Sequence, residues 1–246
     1  MKRRQIELFV KSKTEVDIII LSFAKSEELK LITQQCISSL VASEDKDEIK
    51  FNIVVIESQK DMKPYQYPDT KTVYPDEEFG YHRYMNMGIE MTSSKYVCLC
   101  NNDLRFHQGW ATEILKAFHK YYDLSSASPF CSFHHPKMGF EENNGIYTGY
   151  RSRYEVAGWC LFLKRDVFRL TGKLDENYQF WCADNDYANT LAALKLRHAL
   201  VSSAVVDHLD SCTLDSQAEE AAIASSEFFY LEKKWNHRSM GSWTCV

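Results

Sequence analysis

The stretch Val97-Cys98-Leu99-Cys100-Asn101-Asn102-Asp103-Leu104-Arg105-Phe106 holds the first residues that could do chemistry. An apolar run stops abruptly at two amides and a carboxylate, then resumes. Such a sequence is a turn, or it is the oxygen-rich end of a buried strand where a cation can be held. Other apolar runs end in comparable fashion: at Ser22-Phe23, at Glu57-Ser58 and at Asp207-His208. Three of these four ends carry a carboxylate. A nucleotide with a divalent cation suits such a rim, because the cation takes carboxylate oxygens and a diphosphate supplies the remaining ligands. A further acidic pair, Asp184 and Asp186, lies in Ala183-Asp184-Asn185-Asp186, where a helix is expected to start and where its macrodipole favours acids.

These residues need elements to position them. Residues 16–23 are β-branched and apolar and predict a buried strand. Ser26-Glu27-Glu28 reads as a helix start, and Leu29, Ile32, Cys36, Ile37 and Leu40 follow at helical spacing. Residues 51–56 predict a second strand. The span 59–79 contains three prolines and reads as a long loop. A helix over 81–91 leads into a strand over 95–100. A helix over 108–122 turns Trp110, Ile114, Leu115 and Phe118 inward. Residues 123–154 read as irregular, with His134-His135 in a loop. A strand over 157–163, a short helix over 165–171, a helix from 184 to 196, a strand over 199–206 and a helix over 216–235 complete the chain. This alternation predicts an α/β fold, a mainly parallel sheet with helices on both faces. Ligands on such sheets bind outside the carboxyl ends of the strands.

Composition narrows the function. The chain has 246 residues, 45% hydrophobic and 26% charged, as in a soluble globular protein. The net charge of −5 provides no global basic field for nucleic acid. The clusters Lys2-Arg3-Arg4, Arg151-Ser152-Arg153 and His237-Arg238 read as solvated surface. No signal peptide is visible: Glu7 interrupts the only early apolar patch, Ile6 to Val10. No apolar run approaches the length of a bilayer span, and a cytoplasmic protein is expected. The eight cysteines, 36, 98, 100, 131, 160, 182, 212 and 245, form no CxxC pair and read as small buried hydrophobes in a reducing compartment. With only nine glycines, glycine-rich phosphate cradles are largely excluded: no G-x-G-x-x-G follows the first strand, where the turn is Phe23-Ala24-Lys25-Ser26, and there is no P-loop. A diphosphate would have to be held by a metal and side chains.

The order of segments resembles the GT-A fold glycosyltransferases, in particular inverting family 2. VDIIILSFAKSEEL is similar to that family's first strand and helix, and FNIVVIES to its second strand. FGYHRYMNMGIEMTSSKYVCLCNND resembles its run from an Asn-x-Gly helix into a strand ending in an Asp-x-Asp-type motif. EVAGWCLFLKRDVFRLTGKLDENYQFWCADNDYANTL resembles the acceptor-side segment, AVVDHLDS the late strand with a histidine, and FFYLEKKWN the closing Lys-Trp element. The resemblance covers residues 15–236. It implies one GT-A domain over 1–246, with a nucleotide-sugar half over about 15–122 and an acceptor half over about 123–246.

Carried over residue by residue, the resemblance implies the following roles. Asp103 is a metal-binding carboxylate, with Asn101 in the place of the first acid, and His208 is a metal or diphosphate ligand. The metal would be Mn²⁺ or Mg²⁺. Ser22, Glu57, Arg83, Asn86 and Asn102 face the nucleotide-sugar donor together with Asp103. Asp184 matches the general base, but Ala183 stands where the family has glutamate, so Asp184 and Asp186 both remain in play. Trp159, Trp181 and Tyr154 are candidate acceptor contacts.

The expected function is metal-dependent, inverting transfer of a sugar from a nucleoside diphosphate sugar, UDP-sugar first, to an acceptor hydroxyl, a glycan first. Two alternatives are a phage-type DNA glycosyltransferase acting on a hydroxylated base and a non-catalytic nucleotide-sugar-binding protein. A sugar-phosphate nucleotidyltransferase would share the sheet, but its glycine-rich, arginine-containing loop is missing here.

Overall fold

The structure is a computed structural model and describes residues 13–209 and 217–235. Lys2-Arg3-Arg4, the apolar patch Ile6 to Val10, Cys212, His237-Arg238 and Cys245 lie outside the described residues.

Three parallel strands form the first half of the sheet. β1 (Thr14–Ser22) lies between β2 (Ile49–Glu57) and β4 (Tyr96–Asn101), and β3 (Lys71–Val73) adds to the outer side of β2. β3 falls inside the span that reads as a loop. The register pairs Ser22 with Glu57 and Leu21 with Asn101. All three predicted strand ends therefore reach one carboxyl edge together. Side chains alternate across β1: Ile18 and Ile20 face one buried cluster, Ile19 and Leu21 the other.

Helices fill both faces. α1 (Glu27–Ala42) starts at Ser26, whose hydroxyl accepts from Leu29 N at 3.3 Å, with Glu27 and Glu28 in its first turn. α2 (Tyr81–Glu90) packs tightly on β1, because a Cβ at Gly88 would collide with the Ile19 side chain. β5 (Leu104–Phe106) follows β4 at once, and α3 (Trp110–Lys120) buries Trp110, Ile114, Leu115 and Phe118 as the helical spacing predicts.

The second half mixes directions. β6 (Leu124–Phe130), a 3₁₀ turn (His135–Met138), β7 (Ile146–Thr148), β8 (Cys160–Lys164) with the 3₁₀ turn Arg165–Val167, α4 (Phe168–Thr171), α5 (Ala183–Ala193), β9 (Arg197–His208) and α6 (Gln217–Trp235) follow in order. Strand order is β3-β2-β1-β4-β8-β6-β9-β5, with β7 also on β9. β8 runs antiparallel between β4 and β6, and β6 is parallel to β9. Residues 123–154 read as irregular in sequence, yet they contribute β6 and β7. Leu-Ser-Ser-Ala-Ser-Pro-Phe has weak β propensity, and burial between two neighbours decides its conformation.

Two buried histidines hold this half together. His198 stands between Ser126 Oγ, at 2.8 Å from Nδ1, and the Glu155 carbonyl, at 2.9 Å from Nε2. His135 Nδ1 accepts from Cys131 N at 2.6 Å. Burial lowers both from 6.5 to about 4, against the pull of backbone hydrogen bonds upward. The unfolded chain therefore binds more protons than the folded chain between 6.5 and about 4. Their contribution is complete above the unfolded value and is lost as pH falls toward the folded one. Urea unfolding is expected to show a lower midpoint at about pH 5 than at about pH 7. His198→Gln is expected to shrink that difference.

Candidate active site

The strand β4 stops at Asn101 and the chain turns through Asn102 and Asp103. Asn102 is buried and its amide donates to Thr33 Oγ1 on α1 at 2.9 Å. The chain then resumes because β5 pairs antiparallel with the end of β9, Leu104 opposite His208 and Phe106 opposite Val206. Leu209 N closes the ladder by donating to the Asp103 carbonyl at 3.0 Å. Phe106 packs on Trp110, ring centres 4.8 Å apart.

This pairing places Asp103 Oδ1 3.3 Å from His208 Nε2. The approach is close, but Oδ1 is buried and has no hydrogen-bond partner. A buried carboxylate oxygen left in that state is costly. The separation matches two adjacent ligand atoms of an octahedral cation with bonds of roughly 2.1 Å, which lie roughly 3 Å apart. A carboxylate and an imidazole are also a donor set that suits Mn²⁺. Both residues therefore fit a divalent cation. The Trp159 indole stacks on the His208 ring, 5.5 Å between centres and 7° between planes, and fixes its orientation. The His134 ring lies 6.1 Å from that of His208, a neighbour that its loop position in the sequence did not announce.

On the other side of the edge, Glu57 is fully buried. One oxygen accepts from Ala24 N and Gln59 N, each at 3.0 Å, and the other from Tyr65 OH at 2.9 Å. The Tyr65 and Tyr67 hydroxyls are 2.9 Å apart, and Ser22 Oγ lies 3.4 Å from Tyr67 OH and 2.9 Å from Thr33 Oγ1. A continuous chain of polar groups thus runs from Glu57 through Ser22 to Asn102. Burial and the neighbouring Glu57 charge raise the Tyr65 phenol, so it stays a hydrogen-bond donor. Arg83 and Asn86 are turned elsewhere. Asn86 exchanges two hydrogen bonds with the Leu174 backbone, at 2.9 and 3.0 Å, and donates to Glu176 at 3.0 Å. Arg83 donates to the Glu78 carbonyl and to Glu176. In this arrangement both fasten α2 to the segment that leads to α5.

Asp184 and Asp186 open α5 and part company there. Residues two apart on a helix point to nearly opposite sides. Asp186 is buried against α6. It accepts from Trp235 Nε1 at 2.9 Å, Tyr178 OH at 3.2 Å and Lys234 Nζ at 3.0 Å. Asp184 lines a narrow cavity with Tyr81, His82, Gly158 and Ala183. Its carboxylate accepts from Ser152 Oγ and, at 2.9 Å, from Asn185 N. A Cβ at Gly158 would come 2.5 Å from the Asp184 Cβ, so only glycine permits this approach. Tyr81 OH donates to the Gly158 carbonyl at 3.2 Å and to Asn101 Oδ1 at 3.4 Å, tying the Asp184 side to the end of β4.

Trp181 packs edge-on to Phe180 at 5.4 Å, in the loop whose amides at 179 and 180 donate to Glu227 of α6. Tyr154 lies under the Arg151 guanidinium, 4.4 Å from its ring centre, and Arg151 pairs with buried Glu155. Trp159 alone of the three aromatic candidates touches the Asp103–His208 pair. Ser152, Gly158, Tyr81 and Thr33 were not singled out in the sequence. Gly158, one of few glycines and next to Trp159, carried the one available signal.

Residues 18–137 match the family profile described as glycosyl transferase family 2. Three solved structures share the fold. The crystal structure of GalNAc-T7 with UDP, GalNAc and Mn²⁺ aligns at TM-score 0.69 and 9% identity over 90% of this chain and 48% of that one. The mannosyltransferase PcManGT from Pyrobaculum calidifontis, in complex with GDP-Man and Mn²⁺, aligns at 0.63 and 12% over 94% and 66%. Staphylococcal TarS 1-349 (S. aureus) aligns at 0.57 and 10% over 91% and 72%. The chain therefore spans about half the length of the first and about two thirds of the second. No curated protein sequence matches it significantly. The chain thus has the GT-A fold of these structures, and the family profile covers residues 18–137, just under half of its length.

Substitution separates the two acids. Asp186→Asn is expected to lower the unfolding free energy by about 2–3 kcal/mol, because Lys234 and Trp235 lose a buried partner. Asp184→Asn is expected to change it by less than about 1 kcal/mol. Urea titration of both variants measures this. Equal losses would mean that Asp184 is as structural as Asp186.

Proposed function

We propose that the chain is a metal-dependent, inverting glycosyltransferase that moves a sugar from a nucleoside diphosphate sugar, UDP-sugar first, to a hydroxyl of a glycan. The observation that carries this reading is the Asp103–His208 pair, with its unsatisfied buried oxygen, at the carboxyl edge of the sheet. Asp103 and His208 would hold Mn²⁺ or Mg²⁺. Bound there, the cation supplies positive charge to the diphosphate as it leaves. The Mn²⁺ complexes of two fold relatives support a divalent cation.

The chain's own residues do the rest. The network from Glu57 to Asn102 holds the loops after β1 and β2 in one shape, against which a nucleoside can bind without further ordering. Asp184 is the general base and takes the proton of the acceptor hydroxyl. Ser152 and Asn185 N orient its carboxylate. A single carboxylate acting in one displacement leaves the anomeric carbon inverted. Asp186 is the anchor of α6 and takes no part. Trp159, with Trp181 further out, offers aromatic faces to a sugar acceptor.

A glycan acceptor is favoured over a DNA base by one feature. Arg151 pairs with Glu155, which offsets its charge, and covers one face of Tyr154, which removes that face from base stacking. No helix among the described residues is long and apolar enough to cross a membrane. We take the cytoplasm as the compartment, in keeping with six buried, free cysteines among the described residues.

Calorimetric titration of UDP, GDP and dTDP, each with Mn²⁺ and with EDTA, tests the donor site. One nucleotide is expected to bind only with metal, and Asp103→Ala is expected to abolish that binding. Metal-independent binding, or none, overturns the metal assignment. Asp184→Asn is expected to leave the nucleotide affinity unchanged and to slow transfer by roughly 10²–10⁴-fold. Unchanged turnover removes Asp184 from the mechanism.

A further inference from the structure

The cysteines form a cluster that their spacing in the sequence conceals. Cys98 and Cys100 lie on β4, and Cys160 opens β8 directly opposite Cys100. All three are fully buried. Their sulfurs are 3.5 Å apart between Cys98 and Cys100, 3.6 Å between Cys98 and Cys160, and 4.0 Å between Cys100 and Cys160. Residues i and i+2 on one face of a strand start roughly 6.5 Å apart at the backbone. Cys98 and Cys100 therefore lean toward each other, and both lean toward Cys160. A circle through the three sulfurs has a radius of about 2.1 Å, so an ion at the usual metal–sulfur distance of about 2.3 Å would touch all three from about 0.8 Å off their plane. That is the shallow pyramid of tetrahedral coordination. Apolar packing asks only that each thiol fill its own space and does not require convergence on one point. Cys36, the next thiol, is directed to the Asn101 carbonyl at 3.9 Å and stands outside the triangle.

We propose that Cys98, Cys100 and Cys160 form a buried thiolate site for one closed-shell thiophilic ion, zinc(II) or copper(I). Thiolate sulfur selects these ions, whereas the Asp103–His208 pair offers oxygen and nitrogen. Each metal–sulfur bond replaces an S–H bond and sends its proton to solvent, so three protons leave per ion and nothing is oxidised or reduced. Without a cation, burial pushes all three thiols well above their ordinary value. A bound cation supplies the charge that the apolar core withholds. The ion would tie β4 to β8 directly behind Asn101 and Trp159, and so brace the ring that orients His208. The site stands independently of the sugar-transfer reading.

Two measurements on the full chain test it. Metal content by mass spectrometry, on protein purified without chelator, is expected to give one zinc or one copper per chain and tells the two apart. Cadmium added to stripped, reduced protein is expected to produce an ultraviolet sulfur-to-metal charge-transfer absorption that saturates at one equivalent. Oxygen and imidazole ligands give no such absorption, so Asp103→Ala is expected to retain it, while Cys98→Ala and Cys160→Ala lose it. The wild-type titration needs no substitution, so a variant that fails to fold does not decide the outcome. Absence of the absorption in reduced wild-type protein overturns the site, as does an absorption that survives in a folded Cys98→Ala, Cys160→Ala double variant.

Discussion

The pairing of β5 with the end of β9 is the constraint on which the candidate site depends. It is a short ladder, Leu104 to His208, Arg105 to Asp207 and Phe106 to Val206. It nevertheless joins the end of one strand to the end of another that is remote in the chain. Without it, Asp103 would be a turn residue beside solvent. With it, the carboxylate is buried next to an imidazole and one oxygen lacks a hydrogen bond. A fold retains a cost of that kind where a ligand relieves it. The ladder is itself braced. Asp207 accepts from Ser132 N and Oγ, at 2.9 and 2.7 Å, and His107 Nε2 lies 2.7 Å from its other oxygen. Burial pulls the Asp207 carboxyl upward, but these partners outweigh it and hold it below the ordinary range, so Asp207 stays charged as a structural acceptor.

Side chains that look equivalent in sequence are sorted by geometry into different surroundings. Asp184 and Asp186 are separated by one residue, and the helix turns them to opposite sides. One meets Lys234 and Trp235, the other Ser152 and a cavity. Glu57 and Asn86 are treated alike. Each is buried with its polar atoms engaged by backbone or hydroxyl groups. What they hold is the shape of the loops around them. Such networks rigidify because every member is satisfied. The result is a rim held by satisfied polar groups, at which Asp103 Oδ1 is a buried carboxylate oxygen without a hydrogen bond.

Tyr81 shows how the two halves are coupled. It sits at the first position of α2, and its hydroxyl reaches both the end of β4 and the Gly158 carbonyl. Burial raises its phenol, so it acts as a donor to both. α6 performs a similar service from outside, through Glu227 on the amides at 179 and 180 and Lys234 between Asp175 and Asp186. The Asp184 loop is thus held from two directions by groups far from it in sequence.

The sequence by itself determined β1, β2, β4 and the helices α1 to α3, because β-branched runs and helical stripes are local patterns that burial then rewards; it missed the three-residue strands β3 and β5. It also determined which strand ends are polar, since Ser22, Glu57, Asn102-Asp103 and His208 interrupt apolar runs, and an open α/β sheet collects such ends at one edge. It did not determine β6 and β7. The serine-rich β6 lacks strand propensity and is made a strand by β8 and β9 on its two sides, and the three residues of β7 are too short a run to be read before they pair with β9. Nor did it distinguish Asp184 from Asp186, or reveal that Arg83 and Asn86 fasten α2 to the segment before α5. These depend on which helix or loop stands opposite. The close approach of Asp103 to His208, and of Cys98 and Cys100 to Cys160, was decided by tertiary structure alone. Each joins residues whose separation along the chain carries no information about distance, and only strand register, set by the packing of the whole sheet, brings them within bonding range.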